Sequence, residues 1–283
     1  MGLVLSLWPL VYSWIIDRVK GSIVYVDEKW IKIQGKWHYW FVVLDSETQI
    51  PIVSSLLPTV SSWSCRWIGV KLKLIGKIPK VIITDGLLGY KKMLPEVKHQ
   101  LCVFHHQQGV TRWLKEHFQD EDRINKCKQE MKKVFQTKDK RTVLRRLKKL
   151  SLKARDLQIT EWIKKTKKNL LNLLPAIGSK KIPNTNNAIE RFFSRFNRFY
   201  KVRRGFHSVR STKRELILFM VVYLFTKRED GTAPLEAIVP NLSSMPLYKL
   251  INDPFGSILG KDFVKKNKNL AKNRQIESLV MQT

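Results

Sequence analysis

Acidic residues are scarce in this chain of 283 residues, which has 23 Asp and Glu against 53 Lys and Arg and a formal net charge of +30. Such a field attracts polyanions and predicts binding that weakens as salt is added. The positive charge is also clustered, since residues 141–168 hold 11 Lys or Arg and 2 acids. Clustering favours nucleic acid as the partner over the alternative, a solvated basic surface.

Cysteine is scarce as well, and long apolar runs are missing. The three cysteines show neither a disulfide framework nor the paired spacing of a zinc site, so a reducing cytoplasm is favoured over secretion. The 16 apolar residues at the start contain Pro9 and are short for a membrane span. They also lack the basic segment and cleavage site of a signal peptide. We therefore expect no membrane association.

Hydrophobic residues make up 43% of the chain, enough for a packed core. The runs "IVYVDEKW", "WIKIQGKWHYWFVVLD" (a hairpin around Gln34-Gly35-Lys36), "IPIVSSLL", "KVIITD" and "HQLCVFHH" predict strands. A helix is predicted over "SSWSCRWIGVKLKLIG", with Ser61 or Ser62 as N-cap and Gly76 as its stop, and "GLLGYKKML" is predicted to begin another. This order indicates an α/β fold, a mixed sheet flanked by helices with an all-α insertion.

Changes in composition divide the chain into five parts. Residues 21–106 are predicted to be the first part of the sheet domain and 107–182 a basic helical insertion. Residues 183–228 complete the sheet domain with two helices joined near "RRGFHS", the second capped by Ser208 or Ser211. Residues 229–283 are predicted to be an irregular basic tail, and residues 1–20 the remnant of an N-terminal helix.

Two acids stand at the ends of apolar strand runs. Asp27 follows "IVYV" and Asp85 follows "VIIT", and ligand sites in α/β sheets form at such ends. If the strands are neighbours, both carboxylates meet at one edge of the sheet. The alternatives are a turn residue for Asp85, which precedes Gly86, and a solvated strand end for Asp27.

Glu190 is the one acid between Trp162 and Arg214, in a segment rich in Lys and Arg. One interpretation is a capping box, with Asn187 as N-cap and Glu190 three residues later. The other is a ligand for Mg²⁺ or Mn²⁺, which prefer carboxylate oxygens. A helix would surround Glu190 with small uncharged neighbours, which keep cations away from it: Asn186, Asn187, Ser194 and Asn197.

The segments "IVYVDEKWIKIQGKWHYWFVVLD", "VIITDG" and "TNNAIERFFSRFNRFYKVRRGF" resemble transposases of the DDE type, in the insertion-sequence and Mutator-like branches that carry a helical insertion before the last acid. The resemblance implies a ribonuclease H-like fold, like that of retroviral integrases. It also implies that Asp27, Asp85 and Glu190 bind two Mg²⁺ or Mn²⁺ ions for DNA cleavage and strand transfer.

The resemblance further implies DNA as partner, a homodimer or higher oligomer on the DNA, and a nucleoid-associated cytoplasmic location. Cys102 and His105 match a Cys-x-x-His element of such families, with His106 as competitor; the alternative is a buried cysteine and a surface histidine. The family usually carries an N-terminal DNA-binding module, and residues 1–20 resemble the end of one, so we expect a truncated front. The DNA contacts expected are Cys102, His105, Asn187, Arg191, Arg195, Arg198, Lys201, Arg203 and Arg204.

Two other functions remain open at this stage. One is an inactive DNA-binding remnant of a transposase, which the short front favours and the complete set of three acids opposes. The other is a nuclease of the same fold that acts on RNA–DNA hybrids or junctions, because one fold hosts several chemistries.

Overall fold

A computed structural model of the protein describes residues 2–86, 88–203, 205–228 and 230–239, together with Leu242 and Gly256. The strands in this part of the chain are β1 (Ile23–Ile33), β2 (Lys36–Asp45), β3 (Pro51–Leu57), β4 (Val81–Thr84) and β5 (Lys98–Leu101). The helices are α1 (Gly2–Arg18), α2 (Ser62–Leu74), α3 (Val103–His117), α4 (Glu121–Phe135), α5 (Lys140–Leu152), α6 (Thr160–Leu173), α7 (Asn187–Lys201) and α8 (Val209–Phe225).

The five strands form one mixed sheet in the order β3-β2-β1-β4-β5. β1 pairs antiparallel with β2, and β2 antiparallel with β3, whereas β4 runs parallel to both β1 and β5. This order and these directions are those of the ribonuclease H-like fold, with helices on the sheet. The predicted fold class is confirmed.

The β1–β2 hairpin forms where its turn residues predict it. Gln34 (φ 49°) and Gly35 (φ 76°) both take left-handed backbone, which a tight hairpin turn requires. Next to this turn, the end of β1 is hydrogen-bonded to Phe206. The Gln34 amide donates to the Phe206 carbonyl and the Phe206 amide to the Lys32 carbonyl, each at 3.0 Å. The loop between α7 and α8 therefore holds the tip of the hairpin.

One face of the sheet is packed against α7 and α8 through aromatic side chains. Trp40 of β2 is fully buried, and its ring centroid lies 4.8 Å from that of Phe196 and 5.5 Å from that of Phe192. Phe219 of α8 packs on the same indole at 6.0 Å. Because Phe192 and Phe196 are four residues apart, they form one stripe of α7, and this stripe fixes which side of α7 faces the sheet.

Helix α1 contributes to the same core. Trp8, Tyr12 and Ile15 are buried, and the Tyr12 hydroxyl donates to the Pro51 carbonyl at 2.8 Å. No helix among the described residues has the length and apolar character that crossing a membrane requires. The interpretation of residues 1–20 as the end of a DNA-binding module stays a prediction.

Helices α3 to α6 enclose a second hydrophobic cluster, which includes Leu114, Cys127, Val143 and Leu173. The basic segment predicted to be helical thus buries an apolar side of its own. The helical segment is joined to the sheet at β5, where the Gln100 side chain accepts a hydrogen bond from the Ala176 amide at 2.8 Å.

Two predicted elements differ from the structure. "GLLGYKKML" forms only a short 3₁₀ helix, Leu88–Lys92, because Gly86 (φ +105°) and Pro95 leave room for little more than one turn. The strand expected over "HQLCVFHH" ends at Leu101. There the Val103 amide donates to the Asn184 carbonyl at 3.0 Å, outside the strand ladder, and α3 begins.

Arg204 and most of the tail 229–283 lie outside the described residues.

Candidate active site

The two acids lie near one another, although Asp27 does not stand at a strand end as predicted. β1 continues to Ile33, so Asp27 lies within the strand, opposite Val42 of β2. The parallel register of β1 and β4 pairs Tyr25 with Ile83, and Asp85 directly follows the last residue of β4. The two acids interact, since the charge of Asp85 raises the pKa of Asp27. The structure thus confirms that β1 and β4 are neighbouring strands, which the sequence alone could not show.

Asp27 is a partly buried residue whose carboxylate lies in an acidic environment. Burial raises its pKa well above the usual range, and the carboxylates of Glu28 and Asp85 raise it further. A hydrogen bond from the Glu28 amide to Asp27 Oδ1, at 2.9 Å, and the charge of His105 act in the opposite direction. Like charges held together in a buried place are stabilised by a bound cation.

Glu28 is a fourth acid of this edge, and sequence reasoning missed it. Its carboxylate accepts a hydrogen bond from the buried Tyr90 hydroxyl. Burial raises the pKa of Glu28, while hydrogen bonds from Tyr90 and Trp30 oppose the rise. The signal was its position directly after Asp27, which places it on the opposite face of β1. Its partner Tyr90 could not be found without the tertiary structure.

Glu190 lies in the first turn of α7, and the predicted capping box is wrong. The N-cap is Asn186, one residue earlier than expected, and it forms no capping hydrogen bond with its side chain. Asn187 is thus the first residue of the helix, and Glu190 comes one position too late for the reciprocal cap bond. The Glu190 carboxylate is therefore not used in a helix cap.

His105 connects Glu190 with the other two acids. Its Nε2 lies 3.5 Å from Glu190 Oε1. The neighbouring Cys102, and then the charges of Glu190 and Asp85, raise the pKa of His105 to about 9 against the opposing effect of burial. At neutral pH the ring is therefore a cation among the acids. Nearby side chains of α7 are uncharged as predicted, but a cation reaches Glu190 from α3.

Cys102 is buried and is the N-cap of α3, where its amide donates to the Thr84 carbonyl at 2.8 Å. This bond places the predicted Cys-x-x-His element directly beside the end of β4, where Asp85 follows. The element therefore belongs to the acidic edge of the sheet.

His106 does not share this environment. Its Nε2 lies 3.0 Å from the Thr166 hydroxyl of α6. Burial, and then the charge of Lys165, lower the pKa of His106 from 6.5 to about 4. His105 is thus the histidine of the site, and His106 is a neutral group between two helices of the second cluster.

The depressed pKa of His106 predicts a loss of stability in acid. The neutral ring is favoured in the folded state, so the loss begins as pH falls below about 6.5 and grows until about pH 4. At about pH 5 we expect it to cost on the order of 1–2 kcal/mol relative to pH 7. Urea unfolding of His106→Gln at both pH values should lack this part of the loss. His207→Gln, an exposed histidine, should keep it.

The side chains near Glu190 include oxygen donors that could bind a hard divalent cation. Among the described ranges, no group of three or more His, Cys, Asp or Glu side chains has the closeness that holds a metal ion. Individual donors are nevertheless unsatisfied: Glu190 Oε1 is buried without a hydrogen bond, and so are both amide atoms of Asn186. A hard divalent cation would satisfy buried oxygens that lack a hydrogen bond and lie near a carboxylate whose pKa is raised. The three-acid ligand set stays a prediction.

A cavity of about 380 Å³ lies beside α7, about a quarter turn from Glu190. Arg191, Arg195 and Arg198 line it, together with Arg228 and Tyr223. Their spacing of four and three residues puts the first three on one side of α7. Nη1 of Arg195 is buried without a hydrogen bond, and its guanidinium lies 5.7 Å from the Tyr223 ring centroid. A cavity with converging guanidinium groups suits a phosphate.

The other predicted DNA contacts divide between exposed and engaged side chains. Asn187 and Lys201 are exposed. Arg203 lies 3.0 Å from the Glu215 carboxylate and 3.8 Å from the Phe199 ring, so it already serves the packing of the α7–α8 loop.

Comparison with known proteins finds a match to the family described as "Transposase, Mutator family" over residues 70–224. This range includes Asp85 and Glu190 and begins after Asp27. No curated protein matches the chain. Among solved structures, the HTLV-2 integrase catalytic core domain in complex with magnesium (dimeric form) is 18% identical over 38% of this chain and 83% of that chain, with a TM-score of 0.25. The fold assignment rests on the strand order and directions described above.

Proposed function

We propose that this chain, which belongs to the Mutator family of transposases, cleaves DNA at the ends of a mobile element and joins the freed strand to target DNA. The observation that carries the proposal is the arrangement at the sheet edge. Asp27 of β1 and Asp85, which follows β4, interact with one another, and His105 interacts electrostatically with both of them and with Glu190. We assign these three acids as the metal-binding set.

Two Mg²⁺ or Mn²⁺ ions, when bound, would supply an activated oxygen nucleophile and neutralise the leaving oxygen of the phosphodiester. The chain's own residues prepare the site. Asp27 would present its oxygens from within β1, and Asp85 from the residue that follows β4. Protonated His105 holds the Glu190 carboxylate near them until a cation competes for it.

The surrounding basic residues hold the DNA backbone in this proposal. Arg191, Arg195 and Arg198 present guanidinium groups in one cavity, and Lys201 extends the basic surface along α7. Phosphate contacts of this kind fix position and give little sequence readout. Cys102 and Asn187 act near the DNA in supporting roles. We extend the proposal to a dimer or higher oligomer on two element ends, working at the nucleoid in the cytoplasm.

The test is a cleavage and strand-transfer assay with element-end duplexes, run with Mg²⁺, with Mn²⁺ and with EDTA. It is paired with binding measured across a salt titration. We expect metal-dependent nicking, joined products and binding that weakens with salt. Binding without any metal-dependent product would identify an inactive remnant. Selective cutting of an RNA–DNA hybrid, with duplex DNA intact, would identify the nuclease alternative.

Metal binding by the three acids can be measured without DNA cleavage, through its effect on the stability of the folded chain. Adding Mn²⁺ at about 100 times its dissociation constant should stabilise the folded chain by about 2.7 kcal/mol and raise its melting temperature by several degrees. Asp27→Asn should abolish this rise. It should also raise the stability of the metal-free protein near pH 7, because a carboxyl group whose pKa is raised by folding makes the fold less stable at a pH above its unfolded value.

The matched control is Glu47→Gln, which changes an exposed acid at the far end of the hairpin. It should leave the Mn²⁺ response at the wild-type value. An equal response in Asp27→Asn and wild type would remove Asp27 from the metal site.

A further inference from the structure

Two tryptophans are exposed on the β1–β2 hairpin, outside the hydrophobic core. Trp30 is 52% exposed and Trp37 is 48% exposed. Large aromatic side chains bury much area when they are covered, so two adjacent ones left open indicate a surface that binds something.

The indoles form one continuous surface on a single face of the hairpin. The register places Trp30 opposite Tyr39 and Lys32 opposite Trp37. The ring centroids of Trp30 and Trp37 are 5.9 Å apart, and those of Trp30 and Tyr39 are 5.3 Å apart. Both contacts are edge-on, which leaves ring faces available. We call Trp30, Trp37 and Tyr39 the aromatic platform.

The aromatic platform is held rigidly. The turn bond from Gln34 to Phe206 fixes the hairpin tip, and the Tyr200 hydroxyl accepts from the Lys32 amide at 2.8 Å. A stacking surface that is already ordered loses little entropy when a flat ligand binds.

Charge identifies the occupant. Nζ of Lys32 lies 5.0 Å from the Trp37 ring centroid. Glu28 lies two residues from Trp30 on the same face of β1, opposite to the face of Asp27, and the Trp30 side chain hydrogen-bonds it. A flat aromatic ligand with an attached anion matches a nucleobase on its phosphate backbone. A second protein copy would not explain the bordering lysine.

We propose that the aromatic platform stacks an unpaired base of the DNA strand being processed. The inference rests on the proposed function, which brings a DNA strand to this edge. A nicked or displaced end supplies bases free of pairing, and base–aromatic stacking accepts any of the four bases.

The test compares two fluorescent oligonucleotides of equal length and charge, one a thymidine strand and one with an abasic backbone. Binding is measured by anisotropy in EDTA, so no cleavage occurs and salt-dependent phosphate contacts are equal in both. We expect wild type to bind the thymidine strand about fivefold or more tightly than the abasic strand. Equal affinities would overturn the proposal, whatever the variants do.

The variant Trp30→Ala/Trp37→Ala should bind the abasic strand as wild type does and lose its preference for the thymidine strand. Trp63→Ala is the matched control, since Trp63 is 59% exposed but stands on α2; it should keep the preference. A preference retained by the double variant would refute the assignment. Should the double variant fail to fold, Trp30→Leu/Trp37→Leu replaces it, with the same two outcomes.

Sedimentation of the double variant separates stacking from self-association. An unchanged base preference together with loss of a dimer would show that the platform joins two copies, which also overturns the proposal. Failure of stacking would leave the metal-dependent cleavage assay unaffected. Failure of cleavage, with the base preference intact, would contradict the proposed function alone.

Discussion

Asp27→Asn, Asp85→Asn and Glu190→Gln should each lower metal-dependent DNA cleavage by about 10³-fold or more. Charge stabilisation by bound metal contributes several kcal/mol to such reactions, and each 1.36 kcal/mol corresponds to tenfold in rate. The substitutions keep side-chain size and remove the negative charge that would hold the ions. The measurement is single-turnover nicking of an element-end duplex in Mg²⁺, quantified on a denaturing gel.

Measuring duplex binding in EDTA distinguishes a loss of catalytic activity from a loss of DNA affinity. The three variants should bind as tightly as wild type or slightly more tightly, because each removes a negative charge that faces the DNA. Glu47→Gln should keep full activity. A fully active Glu190→Gln protein would exclude Glu190 from the site and return it to a structural role in the first turn of α7.

Trp40→Ala should cost about 3–5 kcal/mol of folding free energy, the range for a buried aromatic replaced by alanine. Trp40 is fully buried and touches both α7 and α8 through Phe196, Phe192 and Phe219. Its indole N–H also donates to the Ser54 hydroxyl at 2.8 Å, so β3 loses a partner as well. Urea unfolding measures the loss.

Two further variants make the Trp40 result specific. Trp40→Phe keeps most of the packing and should lose much less stability. Trp63→Ala, on an exposed tryptophan, should change the free energy of unfolding by less than about 0.5 kcal/mol. Equal losses for Trp40→Ala and Trp63→Ala would mean that α7 is not anchored through this indole. The position of Glu190 would then need another explanation.

Local patterns predicted most of the elements. The hairpin follows from Gly35 and its β-branched flanks, and α2 begins after the predicted N-cap Ser61. The second helix of the last segment begins at the predicted cap, Ser208. Each of these depends on residues within one turn or one strand, which is why sequence suffices for them.

Long-range contacts explain the errors. The end of β5 is set by the Val103–Asn184 hydrogen bond, which joins residues 81 positions apart (184 − 103). The N-cap of α7 is Asn186, one residue earlier than predicted, and this residue is buried and makes no capping hydrogen bond with its side chain, which local cap preferences do not encode. His106, equivalent to His105 in the sequence pattern, is separated from it only by its contact with Thr166 of α6.

The sequence by itself determined the polyanion-seeking charge, the α/β class and the three acids that stand out by position. Charge and strand periodicity are properties of composition and neighbours, and they survive without a fold. Only the tertiary structure decided that β1 and β4 are adjacent, that His105 interacts with all three acids, and that Glu28 with Tyr90 joins their edge. It also decided that Trp30 and Trp37 stay exposed while Trp40 is buried. Side chains alternate between the two faces of paired strands, so each indole lies on a given face, and only the packing of other elements decides whether that face is covered.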